Sequence, residues 1–516
     1  MKVGIFMKFY VRKLDWRILF MKKRYIYLII IAILLTGVFF LIKYAFLDNE
    51  ASSKSDDLSA LVESKPLPIP PLLEDLDPDP NQAEFHLTAQ QGTTEILDGV
   101  ESETLGYNGN ILGPVIRVHK GEKVKVKMKN DLDDPTTLHW HGLRVDGKYD
   151  GGPHSGIMPG EIWKPEFTIE QPAATLWYHP HMMEMTAKQV YEGLSGLLYI
   201  EDEVSERLAI PKEYGVNDFP LIIQDKKMDA SGNMQYTPNM TDTMRGLLGN
   251  AYLVNGAIDP FLEVPKGIVR LRLLNGSNSR TYHFSLDNNQ KFYQIASDGG
   301  FLKKPIEMST LRLSPAERAE ILVDFSQFET GEKISLINTT SGVIDSASKK
   351  DSEDDAETTE LMEFVVTDNE SSITEIPKQL TEIEPTEPSS AVKTREFVMA
   401  GVGDSLTIND KVMDMTRIDE EVDLNATEIW EVSNKRSGIN GGMAHPFHIH
   451  GVQFQVLDRD GNPPPENESA WKDTVLVHPG EKVRLIVTFK NKGIFMYHCH
   501  ILEHEDAGMM GQYEVK

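Results

Sequence analysis

A chain of 516 residues is long enough for about three or four domains with sizeable cores. Its charge is strongly acidic, 52 Lys and Arg against 79 Asp and Glu for a net of −27, so it lacks the basic surplus that a phosphate backbone demands; no nucleic-acid partner is expected. The single cysteine, Cys499, rules out an intrachain disulfide, leaves the compartment unreported, and lies too far from the N-terminus to carry a lipid anchor there.

Taken in order, the chain opens on a membrane signal. Tyr25 to Ile42 is an unbroken apolar run without charge, long enough for a transmembrane helix of about 17–25 residues. Lys22, Lys23 and Arg24 precede it, which puts the N-terminus in the cytoplasm and the rest outside. A cleaved signal peptide is the alternative. No clear small-x-small cleavage site follows the run, so residues 1–48 are read as a cytoplasmic tail and uncleaved single-pass anchor in the cell membrane, with an extracytoplasmic body. Met21 offers a second possible start. Residues 49–83 are polar, acidic and proline-rich, including Pro66, Pro68, Pro70 and Pro71, and read as an extended linker.

From Glu84 onward the pattern is short β runs between Gly, Pro and Asn breaks, and helical periodicity is scarce. Lys123 to Met128 alternates lysine with apolar residues, as a half-buried strand does. A first β-sandwich is expected over 84–202. Residues 203–392 hold a connector, a second sandwich ending near Val366, an acidic serine-rich insert over 341–360 and a linker from Asp368 to Ala391. A third sandwich is expected over 393–516.

Chemistry concentrates in four histidine clusters that hold ten of the 15 histidines: His139-Trp140-His141-Gly142, His179-Pro180-His181, His445-Pro446-Phe447-His448-Ile449-His450-Gly451, and His498-Cys499-His500 with His504. A thiolate with two imidazoles and a long axial methionine is the blue-copper ligand set, and Met509 follows ten residues after Cys499. Strand parity divides the ligands. If Met496 to Ile501 is a strand, His498 and His500 face one side and Cys499 the other. By the same rule His448 and His450 share a face that His445 does not. One strand could thus serve two metal sites joined by covalent Cys–His links. A lone His-x-His is a weak signal; four in this order, with the only cysteine inside the last, are specific.

These motifs resemble those of the multicopper oxidases, over roughly Gln82 to the C-terminus. The resemblance implies an all-β fold of three cupredoxin-like Greek-key sandwiches, here preceded by the transmembrane helix. It implies four coppers. His445, Cys499 and His504, with Met509 axial, would bind the type 1 copper; His139 and His448 the type 2; His141, His179, His181, His450, His498 and His500 the type 3 pair. It also implies that Glu505 and Asp150 supply protons as dioxygen is reduced to water, while Asp473 is a weaker candidate for orienting a ligand. Because the ligands come from the first and third domains, these two should pack face to face. The middle domain, which supplies none, would be a spacer or a substrate wall. A monomer is expected.

Three classes of reducing substrate compete: phenols, cuprous ion and Mn(II). Met443, two residues before His445, matches the position where copper-efflux oxidases place a Cu(I)-binding methionine, but Gly441 stands where those enzymes carry an acidic ligand, and their methionine-rich insert is absent. A laccase-like donor range with some use of Cu(I) is therefore expected, with the type 1 edge open to bulky aromatics. A non-enzymatic copper-binding or scaffold protein is the alternative, disfavoured because all twelve ligand positions are filled.

Overall fold

The structure, a computed structural model, describes residues 64–339, 358–401, 406–436 and 442–516. The apolar run Tyr25 to Ile42, most of the acidic insert and Gly441 lie outside the described residues. Among the described residues no helix is long and apolar enough to cross a membrane.

Alternation in the sequence becomes alternation in space. In the strand Lys123–Asp131, Val124, Val126, Met128 and Asn130 are buried while the intervening lysines point outward. This strand, Gln82–Leu97 and Val100–Tyr107 belong to one sheet of the first sandwich. The other sheet runs in the order Ile116–His119, Gly196–Glu201, Ala174–His179, His139–His141. A second sandwich packs a seven-stranded sheet on a five-stranded one, and a third packs two five-stranded sheets. Each has its own apolar core. In the third, Phe397 lies 4.3 Å from Trp430 and 4.8 Å from Tyr497 between ring centroids, contacts worth about 0.5–1.5 kcal/mol each beyond their burial.

The three sandwiches repeat one topology. In each, the opening strand runs parallel to a later strand of its sheet: Gln82–Leu97 with Lys123–Asp131, Asp218–Lys226 with Ile268–Asn275, Lys393–Ala400 with Thr427–Asn434. No hairpin can join parallel neighbours, so the chain must leave the sheet and return. It does so each time by a strand in the opposite sheet, Ile116–His119, Phe261–Lys266 or Glu420–Val422, and each of these is itself parallel to a late strand of its domain.

Two segments expected as linkers lie on the body instead. Leu67 N–H donates to Phe261 O at 2.7 Å and Leu73 N–H to Val115 O at 2.8 Å, with the Leu67 side chain buried. The prolines between them suit a peripheral strand-like path that needs few donors. After the strand Thr359–Glu370, Leu380 and Ile383 bury themselves against Ile295, Phe301 and Leu302 of the middle domain. Apolar anchors this sparse leave no period to read in the sequence.

Candidate metal centre

Strand register sets the site. Gly493–Cys499 lies between His445–Ile449 and Met510–Val515, with Phe447 opposite Cys499 and His448 opposite His498. Phe447 and Cys499 face the core of the third sandwich, and His448 and His498 face away from it, toward the first domain. The strand ends at Cys499, two residues before the expected limit. His500 and Ile501 turn the chain into a short helix, Leu502–Asp506, that carries His504 back toward the sulfur.

On the core side, Cys499 Sγ lies 3.4 Å from His445 Nδ1 and 3.6 Å from His504 Nδ1. His504 turns its other nitrogen outward, and Nε2–H donates to Met244 O at 3.2 Å, leaving the Nδ1 lone pair toward the sulfur. Met509 is fully buried beside them. Its N–H donates to His504 O, and its carbonyl accepts from Cys499 N–H. Burial drives the His504 imidazole down to about 4 and pushes the Cys499 thiol well above its usual range. The imidazoles are therefore neutral donors, and a metal binding here must displace the thiol proton.

On the other side eight histidines from the first and third domains meet, all buried. His139 and His179 face each other across paired strands. The rings of His139 and His450 stack at 3.8 Å and those of His141 and His448 at 3.7 Å, so the two domains interleave their imidazoles.

Outer hydrogen bonds fix the tautomers. Nδ1 of His139, His179, His448 and His498 donates to the carbonyls of Asp150, Pro180, Asp473 and Cys499 at 2.8–3.1 Å. A carbonyl cannot donate, so these four rings carry the proton on Nδ1 and a bare lone pair on Nε2. His450 Nδ1 donates to Asp150 Oδ2 at 2.8 Å, and His141 Nε2 donates to Asp473 Oδ1 at 3.0 Å. The bare nitrogens converge. His450 Nε2 is 3.1 Å from His498 Nε2, and His179 Nε2 is 3.4 Å from His141 Nδ1; His181 Nε2, whose tautomer no outer hydrogen bond fixes, lies within 3.2 Å of the first two. Nε2 of His139 and His448 has no hydrogen-bond partner at all. Lone pairs held this close repel one another in a buried site unless cations lie among them. The donors fit copper: imidazole nitrogen throughout one site, and thiolate, imidazole and thioether in the other.

Glu505 sits against this cluster, Oε1 3.3 Å from His181 Nδ1 and Oε2 3.2 Å from His498 Nδ1. Burial, then the neighbouring Asp506 and Glu503, hold its carboxyl well above the usual range.

Comparison with known proteins follows the same three-domain division. Family models described as multicopper oxidase match residues 88–205, 223–347 and 380–516. The multicopper oxidase mco of Staphylococcus haemolyticus is 45% identical over 431 residues, 84% of this chain and 88% of its own length. The chain belongs to the multicopper oxidase family. Its fold is the all-β, cupredoxin-like fold of that family: a crystal structure of a laccase from Pediococcus acidilactici matches with a TM-score of 0.80 at 41% identity, covering 88% of this chain and 94% of that one. The cell division protein FtsP of Xenorhabdus nematophila is also similar, 38% identical over 464 residues, 87% of this chain and 92% of its own.

Sequence reasoning missed what the middle domain does. It gives no ligand, yet Met244 O caps His504. Asn278 Nδ2 donates both to Glu503 Oε1 of the third domain at 2.8 Å and to Ala187 O of the first at 3.0 Å. Among the described residues His445 and His504 are fully buried, and the helix Met240–Arg245 places the Met244 carbonyl over the outer nitrogen of His504. Met443 lies in the third domain's apolar core, and its carbonyl accepts from Asn434. A carbonyl cap depends on backbone position, and no residue type in the sequence announces it.

Proposed function

We propose that this chain is a copper-dependent oxidase that takes electrons singly from a small reducing substrate and uses them to reduce dioxygen to water. The observation that carries the reading is the convergence of bare imidazole nitrogens at 3.1–3.4 Å beside a separate Cys499, His445 and His504 set. His445, Cys499, His504 and Met509 would hold one copper, and the eight histidines the other three. Bound there, copper supplies the one-electron chemistry at the thiolate and the dioxygen-reducing centre among the histidines.

The chain's own residues supply the rest. Cys499 is bonded through the backbone to His498 and His500, so one strand end joins the two sites and gives electrons a covalent path. Glu505 lies within 3.3 Å of His181 and His498, placed to pass a proton toward reduced oxygen. Asp150 orients two imidazoles at once, His450 through Oδ2 and His139 through its carbonyl. The protein also keeps bulk water out, since all ten metal-binding histidines are buried.

For substrate we favour phenolic donors, with Cu(I) accepted through Met443; the likeness to the laccase of Pediococcus acidilactici supports the first arm. Tyr25 to Ile42 would anchor the oxidase to the cell membrane with its body outside, as a monomer. The likeness to FtsP supports a second, non-enzymatic reading, and the filled ligand set argues against it. Copper stoichiometry and oxygen uptake with a phenol, Cu(I) and Mn(II) in parallel test both. Four coppers and donor-dependent uptake are expected; a protein that binds no copper would support the scaffold reading, and uptake with Mn(II) alone would replace the substrate assignment.

A further inference from the structure

Arg318 lies on the middle domain's strand Arg318–Asp324, and its side chain is completely buried. All five of its guanidinium N–H groups are used, and they reach three domains. Nε donates to Thr175 O at 3.2 Å in the first domain, four residues before His179 on the same strand. Nη1 donates to Ala316 O at 2.9 Å and Nη2 to Asp298 O at 3.0 Å in the middle domain. The remaining two form a parallel fork on Asp473 of the third domain, Nη1 to Oδ1 at 2.8 Å and Nη2 to Oδ2 at 2.6 Å.

Asp473 passes this hold to histidines of both domains. Its Oδ1 accepts from His141 Nε2 at 3.0 Å, and its backbone carbonyl accepts from His448 Nδ1 at 2.8 Å. Space is so tight here that a Cβ on Gly142, the glycine after His141, would stand 2.5 Å from Asp473 Oδ2 and 2.9 Å from Arg318 Nη2.

We infer that Arg318, which holds no metal, is a positioning residue for the eight-histidine site, fixing through the Asp473 carboxylate the plane and tautomer of His141 and, by bridging the Thr175 carbonyl and that same carboxylate, the spacing between the first and third domains. The middle domain is thereby part of the oxygen-reducing centre rather than a spacer. A carboxylate gripped from one side by a planar fork presents a fixed acceptor to His141, so the imidazole proton stays on Nε2 and the Nδ1 lone pair stays aimed inward. Lysine offers a point charge with no fork and reproduces only part of this. Among the described residues no hydrogen bond joins Cys499, His445 or His504 to Arg318 or Asp473, and Cys499 faces the third domain's core on the far side of the strand pair, so the thiolate site should be indifferent to the change. The inference rests on the copper-oxidase reading above.

The test compares reconstituted wild type with Arg318→Met, Arg318→Lys and Asp473→Asn. Copper per chain, the visible thiolate band, oxygen uptake and thermal unfolding of the metal-free protein are measured for each. Arg318→Met is expected to keep the thiolate band while copper affinity at the histidine site falls about 10- to 100-fold, the usual cost of removing an outer partner of a ligand. Arg318→Lys should recover part of that loss. If Arg318→Met does not fold, Arg318→Lys and Asp473→Asn carry the test: each must weaken the histidine-site copper and spare the thiolate band. Wild-type copper affinity at the histidine site in any folded variant overturns the inference. So does a loss of the thiolate band in step with the rest, which would mark Arg318 as a general folding residue. A wild type without copper would instead refute the oxidase reading, so the two failures are distinguishable.

Discussion

Stripping the metal should make this protein acutely acid-sensitive, and the structure sets the scale. Nine histidines, His141, His179, His181, His445, His448, His450, His498, His500 and His504, are held below the ordinary imidazole range, chiefly by burial; His498 falls to about 3 and His504 to about 4. Each stays neutral in the folded chain but gains a proton on unfolding once the pH is below about 6.5. The folded form therefore loses about 1.4 kcal/mol per pH unit for each such histidine as the pH falls. Three buried carboxyls and the partly buried Asp506 work in the opposite sense. Asp298, raised to about 6, Glu503 and Asp506, raised to about 7, and Glu505, raised well above its range, keep protons in the fold that the unfolded chain releases above about 4.5. Between pH 6 and 5, nine against four leaves about five protons taken up on unfolding, or about 7 kcal/mol per pH unit. Glu192 and Asp259 are also raised, but solvent screens them, so they trim this only slightly. A domain's whole stability is about 5–15 kcal/mol, so the metal-free protein should unfold within about one to two units below pH 6. Copper bound at the bare nitrogens would stabilise only the fold, so loading should move the transition to lower pH. Acid titrations of chelator-stripped and copper-loaded protein, followed by circular dichroism and tryptophan fluorescence, measure both. A metal-free protein with level stability from pH 7 to 5, or one whose transition coincides with that of the loaded form, would refute the reasoning.

Three further outcomes are expected. Cys499→Ser should abolish the visible thiolate band and oxidase activity while the eight-histidine site still takes up copper, as metal analysis and absorption spectra will show; retained colour would remove Cys499 from the ligand set. Glu505→Gln should slow oxygen uptake by about 100-fold or more, the scale of a lost general acid, yet leave reduction of the thiolate site fast in stopped flow. Equal slowing of both would place Glu505 elsewhere in the mechanism. Met443→Ala, which removes a buried side chain and so costs about 2–5 kcal/mol of stability, should raise KM for Cu(I) several-fold more than KM for a phenol; a common change in both would make Met443 a packing residue only.

Much of this was legible because histidine and cysteine chemistry is tied to strand parity. A period of two separates Cys499 from His498 within the strand Gly493–Cys499, and the alternation in Lys123–Asp131 survives into burial. What stayed hidden depends on the backbone of remote segments. The carbonyls of Asp150, Pro180 and Asp473 fix imidazole tautomers, and a carbonyl has no sequence identity. The parallel strand pairs that repeat in all three sandwiches are likewise invisible, since their partners are tens of residues apart. Arg318 was passed over because nothing near it in the chain binds metal; its partners come from residues 175, 298, 316 and 473.

The likeness to both a multicopper oxidase and a cell division protein sharpens what the fold alone implies. Three sandwiches can stand without copper, because each has its own core. The seam between the first and third domains is a different matter. It is built from buried imidazoles whose lone pairs face one another at 3.1–3.4 Å, which costs stability unless metal fills the gap. A chain serving only as a scaffold would gain by replacing these residues with apolar ones of similar volume, as buried polar clusters often can be. This chain has all eight imidazoles at the seam, with Glu505 and Asp150 beside them, which is the arrangement the proposed oxidase requires and a scaffold does not.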